Sequence, residues 1–192
     1  MTLYEKYKKL NIDTTLIGLE KGNITGDYFC TPKGATVIGW ENSIHYSFIE
    51  GYGEMVFAVN PESCVDKYVY PLAENFEEFL RLILACGSTT AIEQIIGWTK
   101  EQFIDFVNSS DNAFVPNQAE VLQKLKEEFN IEQRENVYEY VKKLQDNFDD
   151  SKIEFNEEYY DTLGLENPSP KNKINEKQGD FEVVGFWFKK KK

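Results

Sequence analysis

The side chains that could carry chemistry are few and scattered. His45 is the only histidine among 192 residues, so a metal site with two histidine ligands is excluded. A nucleophilic dyad would pair His45 with Cys30, Cys64 or Cys86, but nothing in their spacing favours one. The cysteines contain no CxxC pair. One disulfide with a leftover thiol is an alternative, but reduced and partly buried cysteines are the better interpretation.

Carboxylates and glycines offer three further patterns, all weak. Glu50 and Glu54 flank the turn Gly51–Gly53 as a carboxylate pair of the kind that glycosidases use. Among 33 acidic residues such a spacing arises easily, and a solvated turn explains it better. The turn lacks the third glycine of a dinucleotide site. Three aspartates close together could suggest a calcium loop, but the other Asp and Gly positions of an EF-hand loop are missing. They are Asp146, Asp149 and Asp150. We therefore expect no catalytic residue, cofactor or metal, and no enzymatic activity.

Charge excludes another class of function. The net charge is −12 and the pI is about 4.6, so the surface should repel phosphate backbones, and we expect no nucleic-acid partner. The acidic excess lies between Glu74 and Glu166, with 21 acidic and 8 basic residues, whereas the segment after Glu166 has 7 basic and 3 acidic residues. No apolar run approaches the ~18–20 residues of a membrane span, and no signal peptide is evident. We therefore expect a cytoplasmic protein without a membrane partner.

The pattern of the first part of the chain predicts strands that could position these candidate side chains. Residues 35–40 and 44–49 are rich in β-branched and aromatic side chains, and a short polar turn joins them. Ile44, Tyr46 and Phe48 should share one face of the second strand, with His45 and Ser47 on the other. The nearly all-apolar run 54–59 predicts a central strand covered on both faces. A short strand at 68–70 completes a predicted antiparallel meander.

After Pro71 the hydrophobic period changes from 2 to 3.6, which indicates helices. Asn75 can cap the first helix, with Glu78 reaching back and Gly87 as the stop. Thr90 with Glu93, Thr99 with Gln102, and Asn117 with Glu120 mark three further starts. A last helix is predicted near residues 136–148. The order of sheet first and helices after predicts the α+β class.

The hydrophobic pattern predicts one α+β domain over residues 1–165, with 41% hydrophobic residues available for its core. Residues 166–180 contain Pro168, Pro170 and several Asn, Lys and Gly residues, and are interpreted as a linker or a long loop. Residues 181–192 contain an apolar strand followed by four lysines. We expect this strand to dock on the same domain.

One segment resembles a known family. From Gly51 to Gly87 the chain reads GYGEMVFAVNPESCVDKYVYPLAENFEEFLRLILACG. This resembles the SUKH superfamily, the bacterial immunity proteins related to the fungal cell-wall glucan synthesis regulator. There, a strand ending near "NP" or "D" and a further strand precede "PLAxNFEEFLRLxL", which opens a helix. The match lies in Val56–Asn60, Tyr68–Pro71 and Asn75–Leu84. The family also opens with a helix, which no pattern in Met1–Lys21 identifies.

The resemblance implies a SUKH-like sheet-and-helix fold and a non-enzymatic protein that binds and neutralises a cognate toxin, often a nuclease. An acidic surface suits a basic partner of that kind. We expect the contact surface on an exposed sheet face with its loops, or on the acidic and aromatic cluster near residue 157. The candidate residues are Trp40, Glu41, Glu50, Tyr52, Glu54, Glu157, Glu158 and Tyr160. For the cluster, a helix with one packed tyrosine and the rest solvated is the alternative.

Two other functions compete with toxin neutralisation. The first is a general interaction or regulatory module of the same fold without a toxin partner. The second is a small hydrolase that uses His45 or a carboxylate pair.

Overall fold

Four strands pair with their sequence neighbours in one antiparallel sheet of order β1-β2-β3-β4. Their bounds are β1 (Ala35–Glu41), β2 (Ile44–Ile49), β3 (Val56–Val59) and β4 (Val69–Ala73). The computed structural model describes residues 1–21, 26–109, 112 and 115–168. The meander and the α+β class are confirmed. The predicted linker beyond residue 168 and the predicted strand and lysine tail at 181–192 lie outside the described residues.

Other segments of the protein form hydrogen bonds with both edge strands of the sheet. At the first edge, Trp40 exchanges two backbone hydrogen bonds with Glu20, at 2.9 and 3.1 Å. At the β4 edge, the amide of Gln145 donates to the carbonyl oxygen of Pro71 at 3.3 Å, and the backbone N–H of Glu74 donates to the hydroxyl of Tyr140 at 3.0 Å. These contacts satisfy backbone groups that an open edge would leave exposed.

The described part contains seven α-helices. They are α1 (Leu3–Lys9), α2 (Phe76–Cys86), α3 (Thr90–Gln94), α4 (Lys100–Val107), α5 (Gln118–Phe129), α6 (Val137–Asp146) and α7 (Glu157–Leu163). Two short 3₁₀ turns, Thr14–Ile17 and Asp150–Lys152, lie between them. None of the helices in these ranges has the length and apolar character needed to cross a bilayer.

The predicted caps hold at two helices. The Asn75 side chain accepts a hydrogen bond from the Glu78 N–H at 2.9 Å, and α2 ends at Gly87 with a φ of 86°. The Glu78 carboxylate does not reach back to Asn75 as predicted, because it pairs with Arg134 at 2.5 Å. Helix α4 carries the predicted capping box, in which Thr99 and Gln102 bond each other's backbone.

One helix start differs from the predictions, one start lacks its predicted cap, and one helix was not predicted. Helix α3 begins after Thr89 rather than after Thr90. Helix α5 follows Asn117, whose left-handed backbone leaves its side chain without a capping hydrogen bond. Helix α1 was not predicted, because its seven residues show no clear period. It is held by tertiary packing, since Tyr7 is fully buried with its ring centroid 5.2 Å from that of Phe76.

The main core lies between one face of the sheet and the helices. From the sheet, Tyr46 and Ala58 point into it and are fully buried. The predicted stripe of α2 packs against them, and Phe79 lies 5.4 Å from the Tyr46 ring. The remaining helices add Ile92, Val121, Leu125, Val137 and Val141. This arrangement confirms that α2 and the helices after it cover the sheet.

A second core covers the opposite face of the sheet. Phe57 and Val59 of β3 and Ile49 of β2 point into this core. The chain covers them with Cys30 and Ile153 and with partly buried aromatic rings. The predicted two-sided burial of β3 is confirmed, since all four of its residues are buried. The expectation of an exposed sheet face for partner binding is wrong, because residues near 28–30 and 148–159 pack over it.

Replacement of Ile153 tests whether this second cover folds together with the main core. Ile153 is only 7% exposed, so Ile153→Ala should lower the free energy of unfolding by ~2–4 kcal/mol, as buried Ile-to-Ala changes do. Urea unfolding followed by circular dichroism measures the change. The control is Ile104→Ala at a side chain that is 42% exposed, with an expected loss below ~0.5 kcal/mol. Equal losses in the two variants would contradict a cooperative second cover.

Candidate functional site

The predicted partner-binding residues lie at two ends of the sheet. Glu50, Tyr52 and Glu54 belong to the turn between β2 and β3, whereas Trp40 and Glu41 end β1. In an antiparallel meander these positions are separated by the length of β2, about 17 Å at ~3.3 Å per residue. The first group and the second therefore belong to separate local surfaces.

The turn meets helix α7 across the second cover. Two hollows of about 540 and 260 Å³ lie next to each other there and share Lys33, Ile153 and Glu154. The larger contains Glu157, Glu158 and Tyr160, and the smaller contains Glu50 and Tyr52. We call these two hollows the acidic groove. Five of the eight predicted residues thus lie along one groove; Glu54 is an exposed residue of the same turn but does not line it.

Backbone pairing and ring stacking fix the wall of the groove. The N–H of Lys33 donates to the carbonyl oxygen of Glu154 at 2.8 Å, and Pro32 forms a bridge with Phe155. The ring of Tyr159 then stacks on Phe155 with centroids 3.9 Å apart. The alternative of one packed tyrosine therefore holds for Tyr159. Because Tyr159 packs inward, Glu157 and Glu158 on the same helix are exposed.

The groove is acidic with few compensating cations. Lys33 lies 3.6 Å from Glu154, and Lys152 lies 3.5 Å from Asp149. Such exposed ion pairs add little stability. Among the described residues, no Lys or Arg lies within 4 Å of three of the predicted carboxylates: Glu50, Glu54 and Glu158. Their charges therefore face solvent, where they can attract a basic partner.

Tyr52 contributes mainly to the cover. Its ring packs 5.4 Å from Phe57 and 5.5 Å from Phe148. Burial raises the pKa of its hydroxyl, and the charges of Asp149 and Asp150 raise it further. The hydroxyl is buried and has no hydrogen-bond partner among the described residues. Tyr52 thus supports the floor of the smaller hollow, and Tyr160 is likewise half-buried.

The imidazole and two of the three thiols are buried by packing. His45 is 3% exposed and stacks on Tyr28 at 4.2 Å, and burial lowers its pKa while Asp27 opposes the shift. Burial raises the pKa of Cys30 to about 11 and that of Cys86 to about 12. All three cysteines are free thiols. The prediction of a partly buried thiol is wrong for Cys64, which is exposed.

Glu41 belongs to a different environment at the other end of the sheet. Its Oε2 atom accepts a hydrogen bond from Thr89 Oγ1 at 2.7 Å, and Thr90 Oγ1 lies at 3.3 Å. Thr89 Oγ1 is also 2.8 Å from the Gly18 carbonyl oxygen. Gly18 has a φ of +66°, and a Cβ there would lie 2.2 Å from Thr89 Oγ1. Only glycine therefore allows this close approach. The neighbouring Trp40 is half-buried, and its indole nitrogen has no hydrogen-bond partner among the described residues.

Next to Glu41 lies a buried carboxyl group that the sequence did not identify as special. Glu93 is 5% exposed and accepts a hydrogen bond from the Tyr46 hydroxyl at 2.6 Å. The pKa of Glu93 is raised to about 7, mainly by burial; the hydrogen bond from Tyr46 opposes this shift, the charge of Glu41 adds to it, and the bond from Gln94 opposes it. Tyr70 of β4 also faces the group. In the sequence Glu93 looked like an ordinary first-turn residue, because only packing against β2 buries it.

The raised pKa makes a pH-dependent contribution to stability. Unfolded Glu93 loses its proton near pH 4.5 and folded Glu93 near pH 7, so the folded state binds the extra proton between these values. The contribution is fully present below about pH 4.5 and is lost as the pH rises towards 7. A shift of this size corresponds to roughly 3 kcal/mol.

Glu93→Gln should remove the loss of stability that ionisation of Glu93 causes as the pH rises. Because a neutral amide oxygen still accepts from Tyr46, we expect the variant to gain stability over the natural protein as the pH rises from 4.5 to 8. Urea unfolding at a series of pH values measures the difference. Glu128→Gln, at an exposed position of α5, is the control and should leave the pH profile unchanged. Parallel profiles for the natural protein and Glu93→Gln would contradict the assignment.

Within the described ranges, no three His, Cys, Asp or Glu residues are arranged to hold a metal ion. The candidate residues therefore lie in three environments: the acidic groove, the packing around His45, and the network of Glu41 and Glu93.

Comparisons with protein-family models, with curated proteins and with solved structures found no match for this chain.

Proposed function

We propose that this protein is a non-enzymatic immunity protein that binds and neutralises a basic toxin domain through the acidic groove. The observation that carries the proposal is the assembly of Glu50 with Glu157 and Glu158 around one groove. These residues are more than 100 positions apart in sequence. Their convergence places three carboxylates around one groove, next to a half-buried aromatic residue, Tyr160.

The chemistry of the groove suits a basic protein. A toxin that cleaves nucleic acid presents Lys and Arg side chains along its substrate cleft, and carboxylates can occupy that cleft in place of phosphates. Long-range attraction would speed the encounter, while Tyr160 would supply apolar area that slows dissociation. Lys33 and its partner Glu154 lie where the two hollows meet and would orient the approaching charges.

The SUKH resemblance supports the same function. The match at Gly51–Gly87 falls on β3, β4 and α2, and α1 now provides an opening helix of the kind that family has. Because the matched residues are mostly core residues, the resemblance bears on the fold more than on the partner. We accordingly place the protein among SUKH-like immunity proteins of polymorphic toxin systems, acting in the cytoplasm.

A general interaction module without a toxin partner is the alternative. It would use the same groove, since the surface charge would also attract other basic proteins. The two differ in whether binding protects a cell from a particular toxin.

Co-expression with the toxin domain encoded by a neighbouring gene tests the proposal. We expect the natural protein to restore growth and to form a complex with that domain on gel filtration. The double variant Glu157→Lys/Glu158→Lys should abolish protection and weaken the complex at least about tenfold, because it places two positive charges against a basic surface. The complex of the natural protein should also weaken as salt increases.

The matched control is Glu127→Lys/Glu128→Lys, which makes the same charge change at two exposed positions of α5. It should protect as well as the natural protein does. Thermal unfolding of each variant verifies that it is folded. Neither rescue nor complex with the natural protein would reject toxin neutralisation, and a complex without rescue would favour the general interaction module. Equal loss in both double variants would reject the groove as the contact surface.

A further inference from the structure

A second pocket opens next to Glu41, at the opposite end of the sheet from the acidic groove. Its volume is about 270 Å³. Glu41, Ser88 and Thr90 are among its polar lining residues, and Leu16 and Phe106 are among its apolar ones; the remaining polar side chains are those of Thr15, Asn112 and Gln118. The lining formed by the described residues contains no Lys, Arg or His. The pocket therefore combines one acidic group with an apolar wall.

The polar groups around Glu41, which include the fully buried Thr89 next to the pocket lining, have more acceptors than donors. Thr89 Oγ1 lies 2.7 Å from Glu41 Oε2 and 2.8 Å from the Gly18 carbonyl oxygen. A hydroxyl has one proton and can donate to only one of these atoms. Thr90 Oγ1 lies 3.4 and 3.3 Å from the two carboxylate oxygens of Glu41 and again has one proton. The hydroxyl protons of Thr89 and Thr90 are thus the two donors available to the Glu41 carboxylate and the Gly18 carbonyl oxygen. These acceptors keep lone pairs that a further donor could use.

The negative charge at this place also lacks a counter-charge. Among the described residues, no Lys or Arg lies within 4 Å of Glu41 or Glu93. Glu93 lies behind Glu41 and is linked to Tyr46. A concave site with low-dielectric walls concentrates the field of the Glu41 carboxylate. A cation with several N–H donors would satisfy both the charge and the free lone pairs.

The apolar wall indicates what should carry that cation. Leu16 and Phe106 are half-buried, and Phe106 is held by Trp98 with ring centroids 5.1 Å apart. Methylene groups pack on such surfaces while their charged end reaches a carboxylate, and an aromatic face attracts a cation directly. An inorganic cation has no methylene groups to pack on Leu16.

We infer that this pocket binds an alkyl cation, a primary ammonium or guanidinium group on a short methylene chain. The charged group lies against Glu41 and the Thr90 hydroxyl, and the methylene chain lies on Leu16 and Phe106. A lysine or arginine side chain of another protein and a free alkylamine both present this chemistry. The inference is independent of the acidic groove, because no lining residue is shared between them.

Titration with n-pentylamine at neutral pH, followed by ¹H–¹⁵N NMR, tests the inference. The expected result is a saturable shift of the amide signals of Thr89 and Thr90, with a dissociation constant on the order of 1 mM. The uncharged n-pentanol has the same chain without the charge and should bind at least about tenfold more weakly. Nα-acetyl-lysine N-methylamide presents the same group on a peptide backbone. Its binding would indicate a protein side chain as the source, and binding of pentylamine alone would indicate a free amine.

Two variants locate the binding site. Glu41→Gln keeps the shape and an acceptor oxygen but removes the charge, so pentylamine binding should weaken at least about tenfold. Val115→Lys adds an ammonium group at a wall position that is 47% exposed, and it should compete with the ligand without altering Glu41. Glu50→Gln, in the acidic groove, should bind pentylamine as the natural protein does. Absence of saturation, equal binding of pentanol, or unchanged binding by Glu41→Gln would overturn the inference.

Discussion

Strand β3 is apolar on both faces, and the rest of the structure is arranged around that constraint. Val56 and Ala58 point to the helices, whereas Phe57 and Val59 point the other way, and all four are fully buried. A strand of this kind needs cover on both sides, since each large apolar side chain left in water would cost about 1.5–3 kcal/mol. Helices α2 to α6 provide the first cover. The second comes from two segments far apart in sequence, near residues 28–30 and 148–159.

The second cover also creates the acidic groove. Its inner side is a group of aromatic rings, in which Phe148, Phe155 and Tyr159 pack towards Phe57 and Phe29. Its outer side carries the carboxylates that a short amphipathic helix leaves in solvent. The same residues that bury the sheet therefore place Glu157 and Glu158 next to the β2–β3 turn. For this reason, the stability of the fold and the proposed binding surface both depend on the segment near residues 148–159.

The opposite end of the sheet is organised by polar rather than apolar contacts. Thr89 joins the 3₁₀ turn before Gly18 to β1 and α3, since its backbone N–H donates to Ile17 and its hydroxyl lies between Gly18 and Glu41. The buried Glu93 and Tyr46 continue this network into the core. A carboxyl group buried without a cation is costly when ionised. Glu93 therefore holds its proton to a higher pH than an exposed glutamate does.

The amino-acid sequence by itself determined the strands, the order of sheet and helices, and the best caps. These depend on local features: the change of period near Pro71, Asn75 before α2, and Thr99 with Gln102 at α4. It also identified Glu50, Tyr52, Glu157, Glu158 and Tyr160 as separate candidates, from their residue types and neighbours.

Only the tertiary structure decided which of these candidates meet. The pairing of Lys33 with Glu154 joins the turn to α7, and no local pattern encodes a contact over more than 100 residues. Helix α1 and the buried state of Glu93 depend on tertiary packing in the same way. The sequence also predicted an exposed sheet face, which is covered, because no hydrophobic period marks the loop segments and the start of α7 that pack over it. Local periodicity predicts which elements form, whereas burial and charge at a site depend on what packs across it.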